Sequence, residues 1–238
     1  MERERSKLGI NNVKVIFSSP HNLELSEKTI IKPAKYFIPE EFKKMPYSLD
    51  DKDLMQTKKT AKSCPSFVEI LREGYVIPSP CDIYLYYNKE IDVWKWQTPT
   101  GYGWVDVSIH QPSQFQDYYE SSNVKYVFKI NSLWNVYTPK GYSVRQIPML
   151  YHNNKDFQAA YGVIKSDVFH QINTQILFTS DKDEIIIEKG TPLCYIVPYK
   201  RENYNYKVVP YNKMKEKDYK ATLNVMGKFS NSYQKNAN

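Results

Sequence analysis

Cysteine is almost missing from this chain. Three residues in 238, Cys64, Cys81 and Cys194, lie far apart with no C-x-x-C pair. That excludes a disulfide framework or a zinc ribbon and points to reduced thiols, in a cytosol or in a particle assembled there. Glycine is also scarce, at 8 residues, which leaves little room for Gly-rich loops. No Walker loop, G-x-G-x-x-G or G-x-S-x-G occurs, so the familiar phosphate cradles and nucleophile elbow are missing. No apolar run approaches the ~20 residues of a membrane span, and the charged start, MERERSKLG, is followed by no signal-like segment. His21, His110, His152 and His170 show no metal-ligand spacing, so neither a metal nor another cofactor is expected. No internal repeat is visible.

Aromatic residues are abundant instead. Tyr alone accounts for 21 positions, with 10 Phe and 4 Trp, a composition suited to half-buried sheet faces and interfaces. The charge balance, 33 − 26 = +7, could favour a polyanion. The excess is spread thinly, however, with only short groups such as Lys58, Lys59 and Lys62 or Lys200 and Arg201, so a solvated basic surface outweighs a nucleic-acid groove. Trp94, Trp96, Trp104 and Trp134 could form a platform for a base or sugar, but their alternating surroundings favour packing.

Three segments are expected. Residues 1–60 read as a first strand near Asn12–Phe17 followed by an arm, where Pro33, Pro39 and Pro46 interrupt KPAKYFIPEEFKKMPY and leave one short helical turn between aromatic anchors. Residues 61–211 read as the main β-rich domain. Its one helix is expected over 63–74, with Ser63 as N-cap, Pro65 in the first turn, Phe67, Ile70 and Leu71 on one face, and Gly74 as the stop. Cys64 at its start has no His or second Cys nearby to make it reactive. Strands are expected at 75–77, 82–87, 91–97, 103–109, 124–130, 133–138, 142–147, 171–178, 184–187 and 193–197. Their close spacing predicts an all-β sandwich or barrel with one or two short helices and no βαβ rhythm. The acidic run Asp181, Asp183, Glu184 most simply solvates a turn. Residues 212–238 read as a short helix and a loose tail.

The stretch GVIKSDVFHQINTQILFTSDKDEIIIEKGTPLCYIVPYK, preceded by TPKGYSVRQIP, resembles the last third of the trimeric dUTPases. In that family a G-V-I-D-x-D-Y segment precedes two strands and a G-D-R-I-A-Q-L strand. The resemblance covers roughly 60 residues and implies a β-clip, a compact antiparallel fold commonly found as trimers. The departures fall on the chemistry. The carboxylate expected to activate water falls on Lys165, a cation at neutral pH. The second Asp is kept as Asp167, but the Tyr backing the deoxyribose is Val168. Of the phosphate-binding P-R-S-G only Pro148 remains, and the terminal Gly-rich clamp is reduced at best to Gly227 and Phe229. Hydrolysis of dUTP as the family performs it is therefore not expected.

Over residues 33–204 the chain also resembles a family of small proteins of tailed phages and related viruses, through CPSFVEILREGYVIPSPCDIYL, WNVYTPKGYS and KGTPLCYIVPYKRE. That implies a viral origin, in the host cytoplasm or the virion, and no mechanism. The leading reading is a non-catalytic phage structural or assembly protein, homo-oligomeric and of trimeric order if the resemblance holds, alongside other viral structural proteins. One alternative is a nucleotide-binding or nucleotide-processing protein with a remodelled pocket. There Tyr142 would face a base or sugar, Arg145 and Lys165 a phosphate, with Asp167 and His170 beside them. Against that pocket, Arg145 and Lys165 could simply make surface ion pairs. A third, an inhibitor of a host defence protein, has no residue-level support.

Overall fold

A computed structural model describes residues 14–19, 26–51, 56–103, 105–110, 114 and 124–208. The chain divides into two compact units, residues 1–37 with 74–201 and residues 38–73 with 202–238. In chain order the elements up to the second helix are β1 (Ile16–Ser18), β2 (Lys32–Pro33), α1 (Glu40–Lys44), β3 (Ser48–Asp51), β4 (Gln56–Lys59) and α2 (Pro65–Ile70). Then come β5 (Tyr75–Pro78), β6 (Ile83–Asn88), β7 (Val93–Gln97), β8 (Val107–His110) and β9 (Tyr126–Tyr137). The rest are β10 (Tyr142–Pro148), β11 (Phe157–Ala159), β12 (Gly162–Ile164), β13 (Gln171–Phe178), β14 (Glu184–Ile187) and β15 (Pro192–Lys200). All the strand pairings are antiparallel, so the all-β expectation holds. No described helix is long and apolar enough to cross a membrane.

The larger unit is built on three sheets. One runs β1-β9-β13-β11, with β8 also on β9; the second runs β12-β10-β15-β5-β2; the third runs β14-β6-β7. Burial alternates strictly along β13. The buried Ile172, Thr174, Ile176 and Phe178 alternate with more exposed Gln171, Asn173, Gln175 and Leu177, the period-2 pattern of a half-buried strand. All three sheets feed one core. Trp94 from β7 lies 4.6 Å from the Phe178 ring and 5.7 Å from Phe128, both near edge-on, the geometry aromatic quadrupoles favour. Trp134 is also buried in this core and Trp96 packs against it. These three tryptophans are packing residues; Trp104 lies outside the described residues.

Two expected strands, 124–130 and 133–138, are one. β9 runs unbroken for 12 residues because the polar Asn131 and Ser132, which look like a strand end, serve a bulge. Gln171 sits opposite Asn135 and Asn173 opposite Asn131, four steps on β9 against two on β13. Leu133 takes a left-handed backbone there, with φ 61°. The Leu133 N–H donates to Asn131 Oδ1 at 3.0 Å, and Ser132 Oγ donates to the Ile172 carbonyl at 2.9 Å. The bulge thus carries its own hydrogen-bond partners, as a buried ladder interruption must.

In the smaller unit, residues expected to be an extended arm contain a hairpin, β3 on β4, with Ser48 opposite Lys59. Polar side chains fasten its base. Thr60 Oγ1 donates to the Pro46 carbonyl, Ser63 Oγ to the Tyr47 carbonyl and Lys62 Nζ to the Lys43 carbonyl, each at 2.5 Å. Because its hydroxyl is engaged this way, Ser63 does not cap the helix. The helix expected over 63–74 is confined to Pro65–Ile70, with Cys64 at the N-cap. Gly74, in the larger unit, does adopt a positive φ of 73°. The first strand is observed at Ile16–Ser18, later than expected. The expected helix near 212–227 and the residues Gly227 and Phe229 lie outside the described residues.

Candidate functional site

The turn that carries the dUTPase-like segment joins β12 to β13. Backbone N–H groups of Val168 and Phe169 both donate to the Lys165 carbonyl, at 2.9 and 2.8 Å, closing a tight turn that aims Asp167 inward. The Asp167 side chain is only 5% exposed. Its Oδ1 accepts from Arg201 Nη1 at 2.8 Å, and its Oδ2 from Arg201 Nη2 at 2.5 Å and from the Gly141 N–H at 2.9 Å. This two-pronged pairing is the strong geometry for guanidinium and carboxylate. Hydrogen bonds from Arg201, then from the Gly141 N–H, hold the Asp167 carboxyl well below the usual carboxylate range. Arg201 Nη1 also donates to the Tyr142 carbonyl at 2.8 Å and to Ser143 Oγ at 2.7 Å. One arginine therefore ties the 165–170 turn to the start of β10.

His170 belongs to the same knot. Its Nδ1 lies 3.0 Å from the Ser166 carbonyl; a carbonyl can only accept, so the ring carries a proton on Nδ1. The ring also packs on Tyr137, with centroids 4.2 Å apart. Thr138 Oγ1 and Ser166 Oγ share a 2.7 Å hydrogen bond. Of the five residues singled out from sequence, Asp167, His170 and the Tyr142 backbone are brought together. Arg145 and Lys165 are not joined to them by a hydrogen bond or ion pair among the described residues. The Arg145 guanidinium sits 4.4 Å from the Tyr199 ring centroid, a cation–π contact, and Lys165 is exposed. The acidic run is likewise engaged in place: Lys125 pairs with Asp181 and Lys89 with Asp183, each at 2.6 Å, and the Tyr84 hydroxyl donates to Glu184. Among the described residues no group of three or more His, Cys, Asp or Glu could hold a metal ion.

A groove of about 700 Å³ lies beside the knot, between β12 and β13. Gln146, Gln171, Asn173, Gln175, Lys129 and Phe169 are among its lining residues, and none of the five sequence candidates is. Gln146 is 2% exposed; its Nε2 donates to the Ala160 carbonyl at 3.0 Å, which fixes the amide orientation and leaves Oε1 with no partner. Neither Arg201 nor this amide-rich groove was singled out from the sequence. A lone Arg at a strand end carries no spacing signal toward Asp167. The Q-x-N-x-Q alternation of β13 was visible, but only as a strand with a polar face.

No protein-family model matches the chain, and no curated protein matches it. Among solved structures, the native EIAV dUTPase is similar at 10% identity and a TM-score of 0.32, covering 60% of this chain and 87% of its own. A mutant dUTPase of phage phi11 of S. aureus is similar at 14% identity and 0.32, covering 60% and 85%. A mutant dUTPase of Staphylococcus bacteriophage 80alpha, from a series described as controlling transfer of virulence genes, is similar at 13% and 0.34, covering 58% and 83%. At these scores the likeness bears on neither activity nor assembly; the antiparallel architecture stands on the strand pairing itself.

Proposed function

We propose that the protein is a non-catalytic viral structural or assembly protein that works as a homo-oligomer. The observation that carries this reading is the state of Asp167. A general base works best with a pKa near the operating pH and a free lone pair aimed at substrate. Asp167 meets neither condition: its side chain is turned inward and 5% exposed, three of its roughly four acceptor sites are taken by Arg201 and Gly141, and its pKa is driven down. The residue that the dUTPase resemblance puts in the base position is Lys165, exposed and cationic at neutral pH.

Homo-oligomerisation is supported by the surface of the same turn. Val168 and Phe169, adjacent on it, are 75% and 55% exposed, and neighbouring large apolar side chains in water mark an interaction face. The test is sedimentation velocity on purified protein at micromolar concentration, mass spectrometry of purified particles, and a thermal-shift screen against nucleotides. An oligomer present in particles, with no nucleotide shift, is expected. A monomer absent from particles overturns the reading, as does stabilisation by a nucleoside triphosphate, which at about 100 times its dissociation constant amounts to ~2.7 kcal/mol.

A further inference from the structure

One strand edge, that of β12, borders the groove, which also lies over one face of β8, β9 and β13. β12 pairs with β10 through Val144 opposite Ile164, Arg145 opposite Val163 and Gln146 opposite Gly162. It ends its sheet, so among the described residues no strand covers its other side. β13 is paired to β9 along one side, but on the other β11 reaches only from Phe178 to Ile176. The Ala160 N–H donates to the Gln175 carbonyl at 2.8 Å, and there the chain leaves β13 to join the other sheet as β12. The groove occupies the space opened by that departure, with Gly162, Val163 and Ile164 on one wall and Gln171, Asn173 and Gln175 on the other.

An open edge presents main-chain donors and acceptors, and sheets commonly blunt it with shortness, charge or proline. β12 is short and its Ile164 carbonyl accepts from the Ser166 N–H at 2.9 Å, but it carries neither charge nor proline: its three residues are Gly, Val and Ile, with Val163 largely exposed. The groove is also electrostatically one-sided. No Asp or Glu is among its described lining residues, whereas Lys129 is. The side-chain amides on the β13 wall can donate and accept, which suits main-chain groups as well as carboxylates. Among the described residues that line it none belongs to a helix whose N-terminus could seat a phosphate.

The geometry points to this groove as a docking site for an extended, carboxylate-bearing segment of another polypeptide, added as a strand to the open edge of β12. Main-chain pairing supplies the affinity, and alternate side chains facing Lys129 and the amide wall supply the selectivity. This goes beyond the structural reading above and does not depend on it.

The probe is a fluorescein-labelled octapeptide of alternating Val and Glu, titrated with the full chain by fluorescence anisotropy at low salt. Saturable binding is expected, weakened at least about tenfold for the Val/Lys octapeptide, for Lys129→Glu, and for the Val/Glu peptide with alternate backbone nitrogens methylated. Hydrogen exchange is expected to slow on binding at the β12 amides that face away from β10 and not at those that face it. The methylated peptide tests the main-chain arm on the unaltered protein, so a Lys129→Glu chain that fails to fold does not shelter the proposal. Absence of binding to about 1 mM peptide overturns it, as does equal binding of the methylated peptide. Displacement by a nucleoside triphosphate makes the groove a nucleotide site, and conversion of an oligomer to monomer by the peptide makes a second copy the occupant; either overturns the proposal.

Discussion

Two glycines with nearly the same backbone are expected to respond very differently to alanine. Gly74 and Gly141 have φ of 73° and 87°, where an L side chain costs about 1–2 kcal/mol. Alanine recovers roughly 0.4–1 kcal/mol by restricting the unfolded chain, so conformation alone sets a net loss of about 1 kcal/mol at either site. Gly141 adds nothing, because no atom lies within 4 Å of a Cβ built there. At Gly74 the new carbon would stand 2.4 Å from the Ile196 carbonyl oxygen and 3.0 Å from Val197 Cγ2. That oxygen belongs to β15, so relief requires a backbone shift, and overpacking of this kind costs about 1–3 kcal/mol more. Gly74→Ala should therefore lose ~2–4 kcal/mol against ~1 for Gly141→Ala. At about 2–4 °C per kcal/mol for a chain of this size, the expected Tm drops are roughly 4–16 °C and 2–4 °C. Urea midpoints and thermal melts by circular dichroism give both numbers. Losses equal within ~0.5 kcal/mol would refute the close approach of Gly74 to β15.

Asp167→Asn should lower the urea midpoint at neutral pH and matter less in acid. The folded carboxyl lies below its ordinary value of 3.8, so its contribution is complete above the unfolded pKa and fades as pH falls through the folded one; midpoints for both proteins at pH 7 and pH 2 test the sign. Burial pushes the Cys194 thiol up to about 12 and, with Asp82 adding to it, the Cys81 thiol up to about 11. Cys64 is only partly buried, so a disulfide dye at pH 8 should titrate one thiol in the native chain and three in urea. Trp94→Ala should cost about 3–5 kcal/mol through the cavity left among Phe128 and Phe178. Trp94→Phe should cost well under half of that, because it keeps an aromatic ring and deletes an indole N–H that has no partner; chemical denaturation ranks the two.

What was legible in the sequence was strand-forming runs closed by polar turns. Gln171–Phe178 and Glu184–Ile187 emerge with the expected ends because the polar stretch 179–183 and the Lys189-Gly190 turn bound them. Reading failed where tertiary partners override a local signal. Asn131 and Ser132 look like a strand terminus until their side chains are seen serving the β9 bulge. Ser63 looks like an N-cap until the Tyr47 carbonyl takes its hydroxyl. β11 and β12 are three residues each, too short for any period to show, yet their divergence opens the groove. At the candidate site, the sequence singled out Lys165, Asp167 and His170. It could not reveal that Asp167 closes on Arg201, 34 residues further on, since that pairing depends on where β15 ends.

The knot and the surface it carries are linked by more than proximity. Asp167 and Ser166 point inward and are held by Arg201, Gly141, Thr138 and His170, while the next residues, Val168 and Phe169, point out into solvent. A turn of six residues exposing two apolar side chains would ordinarily be mobile, and a partner would have to order it on binding at about 0.5–1.5 kcal/mol for each immobilised side chain. Tethering the turn from beneath removes part of that ordering cost before the partner arrives. The Asp167 carboxylate serves that rigidity directly, because both of its oxygens are held, Oδ1 by Arg201 and Oδ2 by Arg201 and Gly141.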